Sequence, residues 1–485
     1  GRYVSSHGAT QNGAPLKIDE WNIGDYLRPL GVTPVLSGKT HMRADAEGMR
    51  RLGIDPSSRI GVQASECGFD IIFRDDGVHS EVNWRRSSYN SALGEHGYDD
   101  VNPWHWWANA GADADGKPLS GWQMQYADKP ARIPEHLSET AVTTDQALEF
   151  ISQSGEQPWC LHLSYIKPHW PYVAPAPYHA MYSADEVVPP IRSTSETETP
   201  HPLFDLYMRH RKASQSFTRD DVRSHVIPVY MGLISQIDAH IGRVIESLDR
   251  LGKLEETLIV FTADHGDYLG DHWLGEKDFF HEPCVRIPLI ILDPTAKANS
   301  TRGTQVDALV EAIDLLPTFL DWLGGETNHR LEGHSLLPWL HGYPEPGDPA
   351  LAWRDAVFSE YDYGGMSLRP LSGQSAKSAQ IFMVRTQRWK YIAPAGYQPL
   401  LFDLTNDPNE FEDLGAHPDF SDIRAAMQNH LLQWALRPHQ AVTLSPAEID
   451  GVVGKDEARG FPICYWDETD FDNPANIPRY RSTND

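Results

Sequence analysis

The stretch Leu258-Ile-Val-Phe-Thr-Ala-Asp264-His265-Gly266 places an acid and an imidazole directly after a short apolar run. The run at 258–261 is rich in β-branched and aromatic residues, a pattern that predicts a strand buried on both faces of a sheet. Gly266 allows a sharp turn, and in open parallel α/β sheets ligands bind just beyond the carboxyl ends of the strands. Asp264 and His265 are therefore candidates for half of a divalent metal site. The alternative is a polar turn, because short motifs also arise by chance.

The overall charge excludes some functions. The chain has 485 residues, which is enough for one large domain with a sizeable core plus a smaller one. Acidic residues outnumber basic ones, 68 to 41, and the net charge is −27. Nucleic-acid binders usually show the opposite balance, so no nucleic-acid partner is expected. A small anionic substrate must be attracted by a local positive site or a metal, because the global field repels it.

Cysteine usage and hydropathy bear on the compartment. The cysteines are widely spaced and too few for a disulfide scaffold, which fits a reduced, cytoplasmic setting. They are Cys67, Cys160, Cys284 and Cys464. No apolar run approaches the length of a membrane span, so no membrane partner is expected. The chain begins without Met and shows no signal peptide, and we expect the native N-terminus to lie upstream.

Two further polar motifs follow predicted strands. A helix is predicted at 19–30, capped by Asp19 and ended by Gly31, and a strand at 32–36. Gly38-Lys39-Thr40-His41 comes next, and its ammonium and imidazole both donate hydrogen bonds, which suits an anionic tetrahedral group. The alternative is an exposed polar loop.

The second such motif is Lys167-Pro-His169-Trp-Pro-Tyr172. It follows a helix predicted at 144–152 and a buried strand predicted at 159–165. Its two prolines keep the loop out of helix and sheet, which suits the presentation of His169 at a rim. On pattern alone, a single loop histidine is usually just solvated.

Other segments favour structural interpretations. The aromatic run at 102–107 could form a substrate wall, but buried aromatics in a long insert more often serve packing. Gln11-Asn12-Gly13 reads as a turn. Residues 193–223 are polar and predict a surface excursion. A helix is predicted at 228–251, with Asp238 and His240 on its surface or capping it. A strand at 308–313 and a helix capped by Asp314 are predicted next.

The sequence pattern of the C-terminal part differs from that of the preceding chain. A linker is predicted at 342–349, then short antiparallel strands at 381–386, 389–392 and 400–404, and a helix at 421–436 with Ser421 as its cap. The predicted domains are 1–345, 346–440 and an arm at 441–485 that packs on a neighbouring subunit in a homo-oligomer. The predicted fold class is α/β, with a large, mixed but mostly parallel sheet flanked by helices and a smaller C-terminal antiparallel sheet.

Several motifs together resemble the sulfatase branch of the alkaline phosphatase superfamily, most of all phosphonate monoester hydrolases and arylsulfatases. They are Thr262-Ala-Asp-His-Gly-Asp-Tyr-Leu-Gly-Asp-His-Trp273, then Glu276-Lys277, then Val285-Arg-Ile-Pro-Leu-Ile290, with Lys167-Pro-His-Trp-Pro-Tyr172 and Gly38-Lys-Thr-His41 upstream. The resemblance extends over nearly the whole chain. Gly-Lys-x-His is the sulfatase form, and phosphonate monoester hydrolases usually differ at these positions.

The resemblance implies roles for particular residues. Asp264 and His265 would bind one divalent metal ion. An imidazole ligand favours Mn²⁺ or Zn²⁺, with Ca²⁺ as the alternative. Lys39, His41 and Lys277 would bind the ester oxygens, and His169 would donate a proton to the leaving oxygen or stabilise it. The resemblance also makes Asn12 a candidate substrate-binding residue.

The resemblance also implies the reaction. Gly1-Arg2-Tyr3 is similar to the end of the sulfatase signature, which would place a formylglycine nucleophile upstream of residue 1. The expected function is metal-dependent hydrolysis of sulfate esters of the arylsulfatase type. The first alternative is a phosphonate monoester or phosphodiester hydrolase. The second is a non-catalytic binding protein, if the chain starts at Gly1. A two-metal phosphatase ranks last, because no second ligand set is visible.

Overall fold

The computed structural model describes residues 1–77, 87–326, 328–342, 353–440, 442–451, 466 and 469. The linker predicted at 342–349 lies outside these residues except for Gly342, and so does most of the arm predicted at 441–485, including Cys464. The domain division and the oligomer contact through the arm stay predictions. Among the described residues, no helix combines the length and the apolar character that a membrane crossing requires.

The described elements alternate between helices and short strands. The strands are β1 Thr33–Gly38, β2 Asp70–Arg74, β3 Ala110–Ala112, β4 Pro118–Ser120, β5 Trp159–Ser164, β6 Ile259–Thr262, β7 Leu289–Leu292, β8 Val357–Asp362, β9 Gln380–Arg385, β10 Trp389–Pro394 and β11 Leu400–Asp403. The α-helices are α1 Val4–His7, α2 Ile23–Leu27, α3 Ala46–Leu52, α4 Arg59–Ser65, α5 Ser88–Glu95, α6 Glu139–Gln153, α7 Ser195–Glu198, α8 Pro202–His210, α9 Lys212–Phe217, α10 Asp220–Arg250, α11 Glu282–Val285, α12 Leu315–Trp322, α13 Leu337–Leu340, α14 Leu368–Ser372, α15 Ser421–Leu436 and α16 Pro446–Asp450.

A parallel sheet forms the centre of the larger part of the chain. Its order is β2-β1-β5, and Val35 of β1 lies opposite Leu161 of β5. Helix α6 covers one face, and the Ser37 hydroxyl of β1 donates to the Thr143 carbonyl of α6 at 2.9 Å. Helices α2 and α12 pack together in an apolar cluster that contains Leu27 and Leu320. This confirms the predicted α/β class with a parallel sheet flanked by helices.

Strand β6 leads into the Asp264–His265 turn, and its surroundings differ from the prediction. It pairs antiparallel with β7, and within the described part of the chain it pairs with no other strand. Phe261 of β6 is 38% exposed. The predicted burial on both faces is therefore wrong for the described residues. The length and composition of the apolar run predict a strand, but they do not determine whether other elements pack on both of its faces.

The C-terminal sheet is antiparallel, in the order β11-β10-β9-β8, which confirms the prediction. Its inner face shares one apolar cluster with the loops that follow β6, where Ile381 and Met383 lie with Tyr268 and Phe279. The fully buried Lys390 of β10 is ion-paired to Glu282 at 2.8 Å and to Glu410 at 2.7 Å. The small sheet thus packs against the segment that follows His265 and is ion-paired to it.

Several local predictions need correction in the N-terminal and middle parts. The helix predicted at 19–30 begins at Ile23, because Asn22 supplies the capping side chain and forms a capping box with Asp25. The segment 308–313 is not a strand. Helix α10 begins at Asp220, well before the predicted position 228, so Pro228 lies inside the helix.

Two predictions of surface exposure also fail, because burial depends on contacts distant in the sequence, and two predicted helix caps are not formed. His240 of α10 is buried, and its Nε2 lies 2.7 Å from Glu135. The segment at 193–223 is not a simple surface excursion, because α8 and α9 bury Phe204, Tyr207 and Phe217. Asp314 and Ser421 stand at helix starts, but neither side chain forms a cap hydrogen bond.

Candidate active site

Asp264 and His265 lie just beyond the end of β6, with their side chains directed toward each other. His265 Nε2 lies 3.5 Å from Asp264 Oδ2, and the Asp264 side chain is 73% exposed. His265 Nδ1 lies 2.7 Å from the Gly266 carbonyl oxygen, so Nδ1 carries the proton and donates it. The Nε2 lone pair is then free to bind a metal, the arrangement usual for ligating histidines, whose second nitrogen donates to a carbonyl. Burial lowers the pKa of His265, which also keeps the ring neutral.

This pair fits part of a divalent site. A carboxylate oxygen and an imidazole nitrogen are suitable donors for Mn²⁺ or Zn²⁺. In the described part of the chain, no group of three or more His, Cys, Asp or Glu side chains is arranged to hold a metal ion. The two donors therefore supply a partial ligand set that needs further ligands to complete it.

Lys39 and His41 lie on a loop that starts where β1 ends. The Lys39 backbone N–H donates to the Ser164 carbonyl at the end of β5, at 3.3 Å. The Asp76 carboxylate accepts from the backbone N–H groups of Thr40 and His41, at 3.3 and 3.2 Å. His41 adopts a positive φ of 54°. The carboxylate thus fixes in place a strained loop that carries Lys39 and His41.

His169 is held by a loop whose base is buried. Lys167 Nζ donates to the Pro171 carbonyl at 2.7 Å and to Asn109 Oδ1 at 2.6 Å. It also lies 3.8 Å from the Glu139 carboxylate, and both side chains are buried. Burial lowers the pKa of Lys167 and raises that of Glu139. The ammonium therefore closes the loop around His169 from inside the protein.

The protonation of His169 follows from its contacts. Its Nδ1 lies 2.8 Å from the Trp170 carbonyl oxygen, so Nδ1 is the protonated nitrogen. Burial, together with the nearby charges of Lys277, Lys39 and Lys167, lowers the pKa of the imidazole to about 3. At neutral pH the ring is neutral, with its Nε2 lone pair available.

Electrostatic effects show which predicted residues lie together. Burial is the largest cause of the lowered pKa values of Lys39, His41, His169 and His265, and Lys277 contributes to the lowering of each. Asp264 opposes the lowering of the pKa of Lys39. The loops after β1, β5 and β6 therefore bring their charged side chains to one place. Lys39, Lys277 and the Asp264–His265 pair thus lie within electrostatic range of one another.

Comparison with known proteins identifies the family. The Sulfatase family model matches residues 1–325. This chain belongs to the sulfatase family. A second model, described as N-sulphoglucosamine sulphohydrolase, C-terminal, matches residues 270–437 of this sulfatase. It is accordingly a hydrolase related to arylsulfatases and phosphonate monoester hydrolases, and members of this superfamily typically bind a divalent metal ion.

Three relatives illustrate the range of this family. This sulfatase is 33% identical over 453 residues to the multifunctional alkaline phosphatase superfamily protein PehA of Trinickia caryophylli, covering 90% of this chain and 83% of that protein. It is 28% identical over 308 residues to arylsulfatase K of Rattus norvegicus, covering 59% and 51%. The solved structure of the phosphonate monoester hydrolase SpPMH from Silicibacter pomeroyi matches with a TM-score of 0.77 at 30% identity, covering 91% and 85%.

Asn12 is the predicted site residue that has no described contact with the others. Asn12 occupies an exposed turn followed by Gly13 at a φ of 82°, as the Asn-Gly pattern predicts. Among the described residues, no hydrogen bond or ion pair joins Asn12 to the lysines or to His169. Its role in substrate binding stays a prediction.

Sequence reasoning missed the residues that support the site of this sulfatase. Asp76 follows the end of β2, so the strand-end rule could have found it. Lys167 belongs to the recognised motif but was assigned no role. Glu139 and Asn109 carry no local signal, because their partners lie far away in the sequence.

Proposed function

We propose that this sulfatase hydrolyses sulfate esters of the arylsulfatase type. The proposal is supported by the mutual electrostatic influence of Lys39, Lys277 and the Asp264–His265 pair, which requires that these side chains lie near one another. Lys39 stands in the Gly38-Lys-Thr-His41 motif, which resembles the sulfatase form. Two ammonium groups beside a metal site are a suitable environment for the non-bridging oxygens of a sulfate ester, since charge on these oxygens must be stabilised in the transition state.

The residues would divide the work as follows. Lys39 and Lys277 bind non-bridging ester oxygens and orient the sulfur, and His41 donates to the same group. The rigid support of the loop by Asp76 keeps Lys39 in position, so little reorganisation accompanies the reaction. Asn12 remains a candidate for contact with the ester.

His169 would act on the leaving oxygen. In the free protein its Nε2 is unprotonated, because Nδ1 donates to the Trp170 carbonyl and because burial and the neighbouring lysines lower the pKa of the ring. An anionic ester bound beside the ring offsets these positive charges and raises the pKa. His169 would then take up a proton at Nε2 and donate it to the leaving oxygen as the ester bond breaks.

Two further groups complete the proposed chemistry. Asp264 and His265 would hold a divalent metal ion, which supplies Lewis-acid stabilisation of ester oxygens when bound. The imidazole favours Mn²⁺ or Zn²⁺, and Ca²⁺ is the alternative. The nucleophile would be a formylglycine in a segment upstream of Gly1, as the Gly1-Arg2-Tyr3 resemblance implies.

The second candidate function is hydrolysis of phosphonate monoesters or phosphodiesters. It is supported by the likeness to the phosphonate monoester hydrolase SpPMH and to the multifunctional protein PehA. A phosphonate monoester and a sulfate ester both present a singly charged tetrahedral group, so the same pair of lysines suits either one.

The deciding experiment compares two esters with one leaving group, using the natural full-length protein. We would measure kcat/KM for 4-nitrophenyl sulfate and for 4-nitrophenyl methylphosphonate, in the wild type and in Lys277→Met. The exposed Lys297→Met serves as the matched control. Higher kcat/KM for the sulfate, with a loss of about 100-fold or more in Lys277→Met only, supports the proposal. A higher value for the phosphonate favours the second function, and turnover of neither ester rejects both.

A further inference from the structure

Aromatic rings form a continuous series of contacts that begins at His169. The ring centroids of His169 and Trp170 lie 4.2 Å apart, and those of Trp170 and Trp122 lie 5.4 Å apart. Trp122 also lies 5.8 Å from Trp104. These are separations at which aromatic rings attract one another. We use the term aromatic wall for Trp170 and Trp122 together.

Trp122 is the open member of the wall. Trp122 is 43% exposed, whereas Trp104, whose ring packs against it, is fully buried. Trp170 packs against a separate apolar cluster that includes Tyr172 and Phe217. The indole of Trp122 is therefore supported by neighbouring rings and is also partly accessible to solvent.

The backbone that carries Trp122 is firmly held. The Gly121 N–H donates to the Asn109 carbonyl at 3.0 Å, and the Trp122 N–H donates to the Ser120 hydroxyl at 3.3 Å. A Cβ atom at Gly121 would lie 2.3 Å from the Asn109 carbonyl oxygen, so glycine is required for this close approach. Because Asn109 also accepts from Lys167, the wall and the His169 loop share one support. A ring that stacks on Trp122 therefore meets a surface that needs little ordering.

We propose that the aromatic wall, with the exposed indole of Trp122 as its outer part, binds the ring of an aromatic leaving group. This rests on the proposed function, in which His169 protonates the leaving oxygen. An aryl ring is attached directly to that oxygen, so it extends from His169 along the rings of Trp170 and Trp122. An aliphatic alcohol at the same place offers no π face. Trp122 is thus assigned as a residue that determines specificity for aryl over alkyl esters.

The test is a change in discrimination, measured on the natural full-length protein. For each variant we would take the ratio of kcat/KM for 4-nitrophenyl sulfate to kcat/KM for octyl sulfate. The difference in intrinsic reactivity between the two esters is the same for every variant, so it cancels when the ratios of two variants are compared. Trp122→Ala should lower this ratio by about fivefold to tenfold, and Trp122→Phe should keep it within about threefold. Trp21→Ala is the matched control, because Trp21 is 42% exposed and its ring packs on Tyr26 elsewhere in the fold.

A second readout separates this proposal from the proposed function. Binding of phenol, followed by saturation-transfer NMR, needs no turnover. It should be weakened in Trp122→Ala and retained in Trp21→Ala. Should the wild type turn over neither the sulfate nor the methylphosphonate ester, the proposed function fails while phenol binding still tests the wall. Unchanged phenol binding in Trp122→Ala overturns the inference, and so does an unchanged aryl-to-alkyl ratio in an active enzyme.

Discussion

The Tyr172 hydroxyl donates a hydrogen bond to the Asp267 carboxylate at 3.2 Å and thereby joins two loops of the site. Tyr172 ends the loop that carries His169, and Asp267 follows the Asp264–His265 turn. Asp267 also accepts from the Leu269 N–H at 3.1 Å, and burial raises its pKa to about 7. The group proposed to act on the leaving oxygen and the proposed metal ligands are thus tied together across 95 residues of sequence.

Loss of this tie should be measurable. We expect Tyr172→Phe to lower the free energy of unfolding by about 1 kcal/mol, the usual net contribution of a hydrogen bond. Urea denaturation followed by tryptophan fluorescence provides the measurement. Tyr178→Phe is the control, since the Tyr178 hydroxyl forms no hydrogen bond with any described residue. Equal effects of the two substitutions would mean that the Tyr172–Asp267 bond adds no stability.

His169 should make stability depend on pH. Its pKa is about 3 in the folded protein, against 6.5 for an unperturbed histidine. Between these values the unfolded chain binds more protons, so the folded state gains stability as the pH rises and loses it as the pH falls through this window. From pH 7 to pH 5 this residue alone should cost up to about 2 kcal/mol.

The measurement is the change in unfolding free energy between pH 7 and pH 5 for the wild type and His169→Gln. The change should be smaller in the variant by about 1–2 kcal/mol. The exposed His96→Gln should behave as the wild type does. An identical pH response in all three proteins would show that His169 is readily protonated in the folded state, contrary to its buried contacts.

The sequence predicted those site residues that directly follow an apolar strand segment. The loops after β1, β5 and β6 each contain charged side chains beyond an apolar run. Strands β1 and β5 are parallel neighbours whose carboxyl ends share one edge, whereas β6 pairs only with β7 among the described residues. The strand-end rule, with the family resemblance, selected Lys39, His169 and Asp264. Helix α15 was predicted at its observed bounds, because its polar flanks and uninterrupted helix-forming residues limit it locally.

What the sequence did not predict depends on contacts between distant residues. Glu139 looks like any acid at a helix start, yet it is buried against Lys167. His240 lies on a helix whose amphipathic pattern does not reveal Glu135 beside it. Strand β8 was not predicted, because its intermediate burial and the acids in Val357–Asp362 weaken the apolar signal. Spacing rules describe neighbours along the chain and carry no information about such pairs.

The buried pair of Lys167 and Glu139 should be energetically coupled. Lys167→Met leaves the Glu139 carboxylate buried without its cation, and we expect a loss of about 3–5 kcal/mol in unfolding free energy. Adding Glu139→Gln should restore part of it, so the double variant should be more stable than the sum of the single changes predicts. Because Lys167 holds the His169 loop, kcat should fall in Lys167→Met.

A double-mutant cycle measured by urea denaturation gives the coupling. The exposed pair Lys129–Asp128, at 2.8 Å, provides a matched cycle in which about 0–1 kcal/mol is expected. Strict additivity of Lys167→Met and Glu139→Gln would rule out the coupling. A coupled pair with unchanged kcat would limit its role to stability.

Metal retention should depend on the Asp264–His265 pair. The protein would be treated with a chelator, reloaded separately with Mn²⁺, Zn²⁺ or Ca²⁺, freed of excess metal, and analysed by inductively coupled plasma mass spectrometry. We expect about one ion per chain in the wild type and a strong reduction in His265→Ala, because the Nε2 lone pair is lost. Mn²⁺ or Zn²⁺ should be retained better than Ca²⁺, since imidazole is a poor ligand for Ca²⁺. Asp249→Asn, on an exposed position of α10, should retain the metal fully. Equal retention in His265→Ala and Asp249→Asn would place the ion elsewhere and would remove the Lewis acid from the proposed site.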